Sequence, residues 1–254
     1  MSMLQDQHAV VTGGSRGIGA AIAAVLAGAG ARVTVVGRDV AALTEVAASL
    51  GAAGQAEVAD VADAGAVAAA LARARARFGP VRILVNNAGQ VETMPVAKMP
   101  QETWERLLAV NLTGTFLCSK EVLADMLAAK GGRIVNVAST AALRGYAYVA
   151  AYAAAKHGVV GFTRSLALEV ATQGITVNAV CPGYTDTDIV RQGIAKVVAA
   201  TGRPEREARA IFTGHNPQRR LIDAGEVAAA VLWLCSPEAR GVNGASIPIS
   251  GGEV

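Results

Sequence analysis

Seven short runs of apolar, mostly β-branched residues recur along this chain, and long Ala-rich stretches separate them. The runs are His8–Thr12, Arg32–Val36, Gln55–Val58, Arg82–Asn86, Gly132–Val137, Thr176–Cys181 and Ser246–Ile249. Most are continuously apolar rather than alternating, the pattern of strands buried on both faces. The intervening stretches, among them Ala20–Ala29, Val40–Leu50, Ala64–Phe78 and Val149–Thr172, read as helices. Buried strands alternating with helices predict an α/β fold: a doubly wound, mostly parallel seven-stranded sheet with helices on both faces. A length of 254 residues suits one such sheet, so residues 1–254 are expected to form a single domain. One segment breaks the rhythm. Tyr184–Leu221 shows no clear strand, mixed charge and Gly/Pro punctuation, and is read as an irregular lid over a substrate.

The first strand runs directly into Thr12-Gly-Gly-Ser-Arg-Gly-Ile-Gly19, and a helix follows. Such a chain must turn sharply, admit a pyrophosphate to its backbone, and pack the helix back on the strand. Glycine suits each task, and the helix N-terminus offers free N–H groups and a positive dipole end. Gly13, Ser15, Arg16, Gly17, Ile18 and Gly19 are therefore expected to hold a dinucleotide phosphate on a Rossmann-type sheet.

The spacing Gly13-xxx-Gly17-x-Gly19 resembles that of the short-chain dehydrogenase/reductases in their compact single-domain form. The resemblance covers essentially the whole chain. Asp60 follows the third strand, Asn86-Asn-Ala-Gly89 the fourth, and Asn111 lies within a helix. Ser139 follows the fifth strand, Tyr152-xxx-Lys156 lies on the next helix, and Pro182-Gly183 follows the sixth strand. The resemblance implies a nicotinamide-dependent oxidoreductase acting on a ketone and its secondary alcohol. It implies further cofactor contacts from Asp60, Val61, Asn87, Ala88, Gly89, Pro182, Gly183, Thr185 and Thr187, the two threonines toward the carboxamide and phosphate. The implied catalytic set is Asn111, Ser139, Tyr152 and Lys156.

Tyr152 and Lys156 stand one helical turn apart and so project on one face. A free tyrosine titrates near ~10, too high for a base at neutral pH. A neighbouring ammonium and an oxidised nicotinamide would both favour the phenolate and lower that value. In the family, the matching serine holds the substrate oxygen, the lysine also bonds the nicotinamide ribose, and the asparagine anchors a water leading to the lysine.

The second strand ends Val35-Val36-Gly37-Arg38, with glycine where NAD-preferring members carry an acid. Arg38 can grip a 2′-phosphate bidentately, and Arg16 adds a second basic residue. NADP(H) is therefore favoured over NAD(H). Within the family the chain is similar to 3-oxoacyl-thioester reductases and ketone reductases. Carrier-protein members present basic residues before the fifth strand and at the catalytic helix end; here Lys130 matches but Gln173 does not. That leaves CoA esters or free ketones, framed by Tyr146, Tyr148 and Tyr184. The alternatives are an NAD-dependent secondary-alcohol or hydroxyacyl-CoA dehydrogenase and a non-catalytic NADP(H)-sensing regulator. A sugar-nucleotide epimerase is disfavoured by the glycine spacing.

The charge of +3 contains no basic block for nucleic acid, and the uncharged run Gly17–Ala31 is short for a membrane span. No basic-then-apolar leader opens the chain. Three scattered histidines and three distant cysteines suggest no metal site, and reduced thiols in a cytoplasmic protein. Small residues on the catalytic helix, together with the resemblance, imply a homotetramer built partly on that helix and the one near Asn111.

Overall fold

The computed structural model describes residues 2–254. All seven strands lie in one parallel sheet of order β3-β2-β1-β4-β5-β6-β7. They are β1 (His8–Thr12), β2 (Arg32–Gly37), β3 (Gly54–Val58), β4 (Val81–Asn86), β5 (Gly132–Val137), β6 (Ile175–Pro182) and β7 (Ser246–Ile249). β6 is buried along its whole length, which explains its mostly apolar sequence, with Thr176 and Asn178 the buried polar exceptions.

Helices α1 (Gly17–Gly28), α2 (Val40–Ser49) and α9 (Ala224–Cys235) cover one face. There Ile22, Leu26, Leu43, Val231 and Leu234 pack on Val11, Val35 and Val135. The opposite face carries α3 (Ala64–Phe78), α4 (Gln101–Leu108), α5 (Gly114–Ala128) and α6 (Ala150–Val170). Asp39, Asp63 and Asp223 accept from first-turn N–H groups of α2, α3 and α9, so each of these helices starts at a side-chain cap.

The chain leaves the sheet centre at β1, winds out to β3, and returns to place β4 on the other side of β1. Loops after β1 and β4 therefore diverge and leave a crevice at the carboxyl ends of the strands.

α4 and α5 are one continuous helix, Gln101–Ala128, joined through a π-helical turn at Ala109–Thr113. By length and apolarity it would cross a membrane. Its burial of Asn111, Thr115 and Ser119, and the pairing of Asp125 with Arg75 on α3, make it a core helix lying on the sheet.

The segment expected to be irregular is helical. Tyr184–Leu221 contains α7 (Asp188–Thr201) and α8 (Glu205–Thr213), a hairpin with its own small core of Val190, Ile194, Ala208 and Leu221. Its punctuation marks helix ends and a close approach rather than irregularity. Gly202 terminates α7 at φ 68°, Pro204 precedes α8, and a Cβ at Gly193 would stand 3.1 Å from the Phe212 ring. Both stems of the hairpin are tied together, since Thr185 bridges Ile222 and Ile222 N–H donates to Tyr184 O.

Candidate active site

A cleft of about 700 Å³ opens over the carboxyl ends of the central strands. Every expected catalytic and cofactor-binding residue lines it except Gly19. Gly19 lies beneath the turn, where a Cβ would collide with Gly13 O, so its glycine serves the packing of α1 on β1. Gly13 takes φ 63°, and a Cβ there would stand 2.8 Å from Ala88 Cα. Gly17 takes φ 53° and faces Thr187, whose Cγ2 would be 3.1 Å from an added Cβ.

These approaches identify the part of the cleft fit for a dinucleotide phosphate. Unlike α2, α3 and α9, helix α1 has no side-chain cap at its N-terminus, and neither does α7. Their free N–H groups meet where Gly17 faces Thr187, so two positive dipole ends converge on space that any side chain at 17 would fill. At the outer end, Arg38 lies 3.6 Å from Asp60, both largely exposed. A Cβ on Gly37 would touch Leu43 only at ordinary contact distance, so space alone does not demand glycine there.

The Asn86–Gly89 segment mainly braces the turn. Thr12 Oγ1 accepts from Asn87 N and Ala88 N, and the Asn87 amide donates to Thr12 O and Gly13 O. Asn86 lies deeper, donating to Ser119 and Asn136, and Asn136 donates to Thr163. This buried polar chain ties β4 and β5 to α5 and α6 directly under the cleft.

At the inner end stand Ser139, Tyr152 and Lys156. Ser139 Oγ accepts from Ala141 N at 3.1 Å, which leaves its hydroxyl proton to be donated elsewhere. Lys156 is buried, donates to Val137 O at 2.8 Å, and places Nζ 5.7 Å from the centre of the Tyr152 ring. Asn111 sits in the π-helical turn, with its amide committed to Gln90 O and Leu107 O and its carbonyl to Gln90 N. It thereby fixes the loop carrying Gly89, where a Cβ would lie 2.8 Å from Asn111 Oδ1 and 3.6 Å from Lys156 Nζ.

Burial lowers the Lys156 ammonium to about 8. Tyr152 shifts against the expectation from sequence: burial raises its phenol, and the hydrogen bond with Ser139 offsets this only in part. The reason is that desolvation disfavours both charged forms, while the cationic ring expected to favour the phenolate belongs to the cofactor.

Tyr146 and Tyr184 line the cleft beyond Tyr152, as expected, together with Val149, Ile189 and Val190. Tyr148 is exposed and does not reach it. Sequence reasoning missed the groups behind this wall. Glu253 carries a side chain only 2% exposed and accepts from Tyr146 Oη, and His215 packs against both tyrosines. The paired Gly251-Gly252 was the one local signal that the tail turns sharply.

On the hairpin, Arg191 pairs with Asp186 and Asp188, and just beyond it Arg220 pairs with Glu226. Lys196, Arg203, Arg206 and Arg209 lie exposed in solvent. Lys130 and Gln173 precede β5 and β6, at the sheet end opposite the cleft. The cysteines Cys118, Cys181 and Cys235 are buried and unpaired.

Comparison with known proteins agrees with this geometry. The sequence profile described as short chain dehydrogenase matches residues 7–197. The chain is 41% identical over 249 residues to the putative ketoacyl reductase 1 of the granaticin polyketide synthase of Streptomyces violaceoruber, covering 96% of this chain and 92% of that one. It is 39% identical to the 3-oxoacyl-acyl-carrier-protein reductase FabG of Vibrio cholerae, with 98% of each covered. Among solved structures, a variant of the actinorhodin polyketide ketoreductase with NADPH superposes with a TM-score of 0.94 at 37% identity, over 100% of this chain and 99% of that one.

Proposed function

Because this chain belongs to the short-chain dehydrogenase family, we propose that it is an NADP(H)-dependent reductase interconverting a ketone and a secondary alcohol, with Tyr152 as acid and base. The observation that carries this reading is the meeting of Ser139, Tyr152 and Lys156 at the inner end of a cleft whose outer end is the uncapped α1. The turn from Gly13 to Gly17, Thr187 and Arg38 would hold the cofactor, which when bound supplies the hydride for the carbonyl carbon. Tyr152 Oη gives its proton to the carbonyl oxygen and recovers one in the alcohol direction. Ser139 donates its free hydroxyl proton to the same oxygen and holds it against Tyr152. Lys156 places its ammonium beside the tyrosine ring, where it favours the phenolate as that forms. Asn111, the fourth member of the catalytic set, holds the Gly89 loop beside Lys156.

A preference for NADPH is supported by Arg38 beside Gly37 and by the NADPH bound to the actinorhodin relative. The substrate is a 3-oxoacyl thioester or a free ketone; the granaticin and FabG names support an oxoacyl group. We further infer a homotetramer of cytoplasmic location, with α7–α8 acting as the substrate lid. A panel of ketones and 3-oxoacyl-CoA esters, assayed with NADPH and with NADH at the nicotinamide absorbance, tests the reading. Turnover of several ketones with NADPH is expected. Cofactor binding without turnover of any carbonyl would instead support a sensing regulator.

A further inference from the structure

The end of the chain ties together three segments that wall the substrate side of the cleft. Gly251 and Gly252 take φ 64° and 96°, a backbone open to few other residues. A Cβ on Gly251 would collide with the Asn216 amide, and one on Gly252 would touch Pro217. The turn they make sends Glu253 inward, under the exit of the α7–α8 hairpin. One Glu253 oxygen accepts from Tyr146 Oη at 2.5 Å and lies 3.8 Å from His215 Nδ1. The other faces Gly183, 3.3 Å from the position of a Cβ there. The tail therefore touches the Tyr146 loop, the Pro182-Gly183 stem and the hairpin exit at once.

The aromatic rings extend this contact into the cleft. Tyr146 meets His215 edge-on at 5.7 Å, His215 lies 5.6 Å from Tyr184, and Tyr184 meets Phe212 at 5.2 Å. Two arginines lie nearby: Arg106 is held by Glu92 and Gln90, and Arg144 stacks its guanidinium 5.2 Å from the centre of the Tyr146 ring. Burying a carboxylate against one hydroxyl and an imidazole at 3.8 Å costs more than burying a neutral amide of the same shape. The charge itself thus calls for a use.

We propose that Glu253 is a specificity-determining positioning residue, fixing Tyr146 as the substrate wall and holding a negative charge behind it. The pocket then takes uncharged ketones with an apolar or aromatic body. It rejects those with an anionic group near the wall, such as free oxo acids, while thioesters with remote charge remain acceptable. This inference rests on the carbonyl-reductase reading of the cleft.

The test pairs methyl 4-acetylbenzoate with 4-acetylbenzoate, a neutral and an anionic aryl ketone of the same shape. Wild type should favour the ester in kcat/KM, chiefly through KM. Glu253→Gln keeps an acceptor for Tyr146 but removes the charge, and should narrow the ester-to-acid ratio by about tenfold. A ratio that stays the same, or an equal loss on both ketones, overturns the electrostatic role. Hydrogen exchange provides a readout free of turnover. Glu253→Ala should speed exchange of 144–148 and 215–221 by about tenfold, whereas Glu253→Gln should not. Unaltered exchange in Glu253→Ala overturns the tether. If wild type reduces neither ketone, the reductase reading is at fault for such substrates, and the exchange result still decides the tether.

Discussion

Tyr152 is held above its ordinary value by burial, so its usefulness as a base depends on positive charge brought beside it. Removing the phenol should therefore abolish chemistry without disturbing dinucleotide binding. Tyr152→Phe is expected to lower kcat by about 10²–10⁴ while NADP(H) affinity, followed by fluorescence titration, changes only a few-fold. Turnover near wild type would remove Tyr152 from the mechanism. Lys156 makes a separate prediction through its own titration. Burial holds it at about 8 against 10.5 for the ordinary group. Between those values the unfolded chain binds the extra proton, so the burial penalty is full below pH 8 and fades as pH rises toward 10.5. In urea unfolding without cofactor, wild type should gain roughly 2 kcal/mol relative to Lys156→Met between pH 8 and pH 10. A constant difference would show that the ammonium is not desolvated. At the outer end, wild type should prefer NADPH, and Arg38→Leu should weaken NADPH by about ten- to a hundredfold while sparing NADH. A wild-type preference for NADH would reverse the reading of Gly37 and Arg38. These residues were legible in sequence because each sits at a fixed offset from a strand end. Glu253 was not: it meets Tyr146 across 107 positions of chain, and no local spacing announces it.

The strands were the most legible elements, with β1, β5 and β7 read to the residue: β1 and β5 are buried on both faces and mostly apolar, while the partly exposed β7 stood out as a short run between polar and Gly-rich segments. Helix α1 begins at Gly17, inside the turn, three residues before its apolar pattern suggested. The same glycines make the turn and open the helix, so composition hides the boundary. The π-helical turn holding Asn111 was illegible, since one inserted residue does not alter helical periodicity over a short window. α7 and α8 were hidden by their charge and punctuation, although Val190, Ile194 and Val197 keep helical spacing. This hairpin packs mostly on itself and is tied to the body at its stems, through Ile222 and the C-terminal tail. It should therefore open more readily than the sheet. Hydrogen exchange over Ile189–Phe212 should be faster than over β4 and β5 in the free enzyme, and slow on addition of NADP⁺ and alcohol substrate. Protection already high and unchanged by ligands would make it a rigid part of the fold rather than a lid.

At the scale of the whole molecule, the outer faces of α5 and α6 are unlike those of ordinary surface helices. From the end of the π-helical turn along α5, the exposed positions Thr113, Phe116, Lys120, Ala124 and Leu127 form one stripe, and Phe116 is 44% exposed. On α6 the corresponding stripe runs Ala154, His157, Gly161, Ser165 and Leu168, with Leu168 82% exposed. Only some of the small residues on α6 are free to meet another chain. Ala155 is buried, and Gly158 packs against Leu112, where a Cβ would come within 2.8 Å. Gly161, by contrast, has nothing within 4 Å of an added Cβ. Phe116 meets Phe162 edge-on at 6.3 Å, which joins the two stripes into one face of mixed small, apolar and polar residues with open space at Gly161. Such a face, self-complementary across a two-fold axis, suits the helix-to-helix contact of a closed homo-oligomer. If the proposed tetramer forms and is built there, an acid placed at its centre would be buried without a partner in the assembly but solvated in the single chain. Phe116→Glu should therefore leave the fold intact by circular dichroism and convert the tetramer to a smaller species in sedimentation velocity at micromolar concentration. The catalytic helix α6 forms half of this face, so dissociation should also lower kcat, with NADP(H) binding less affected because the turn and Arg38 lie across the sheet. A wild-type protein that sediments as a monomer, or a Phe116→Glu variant that remains a tetramer, would place the contact elsewhere.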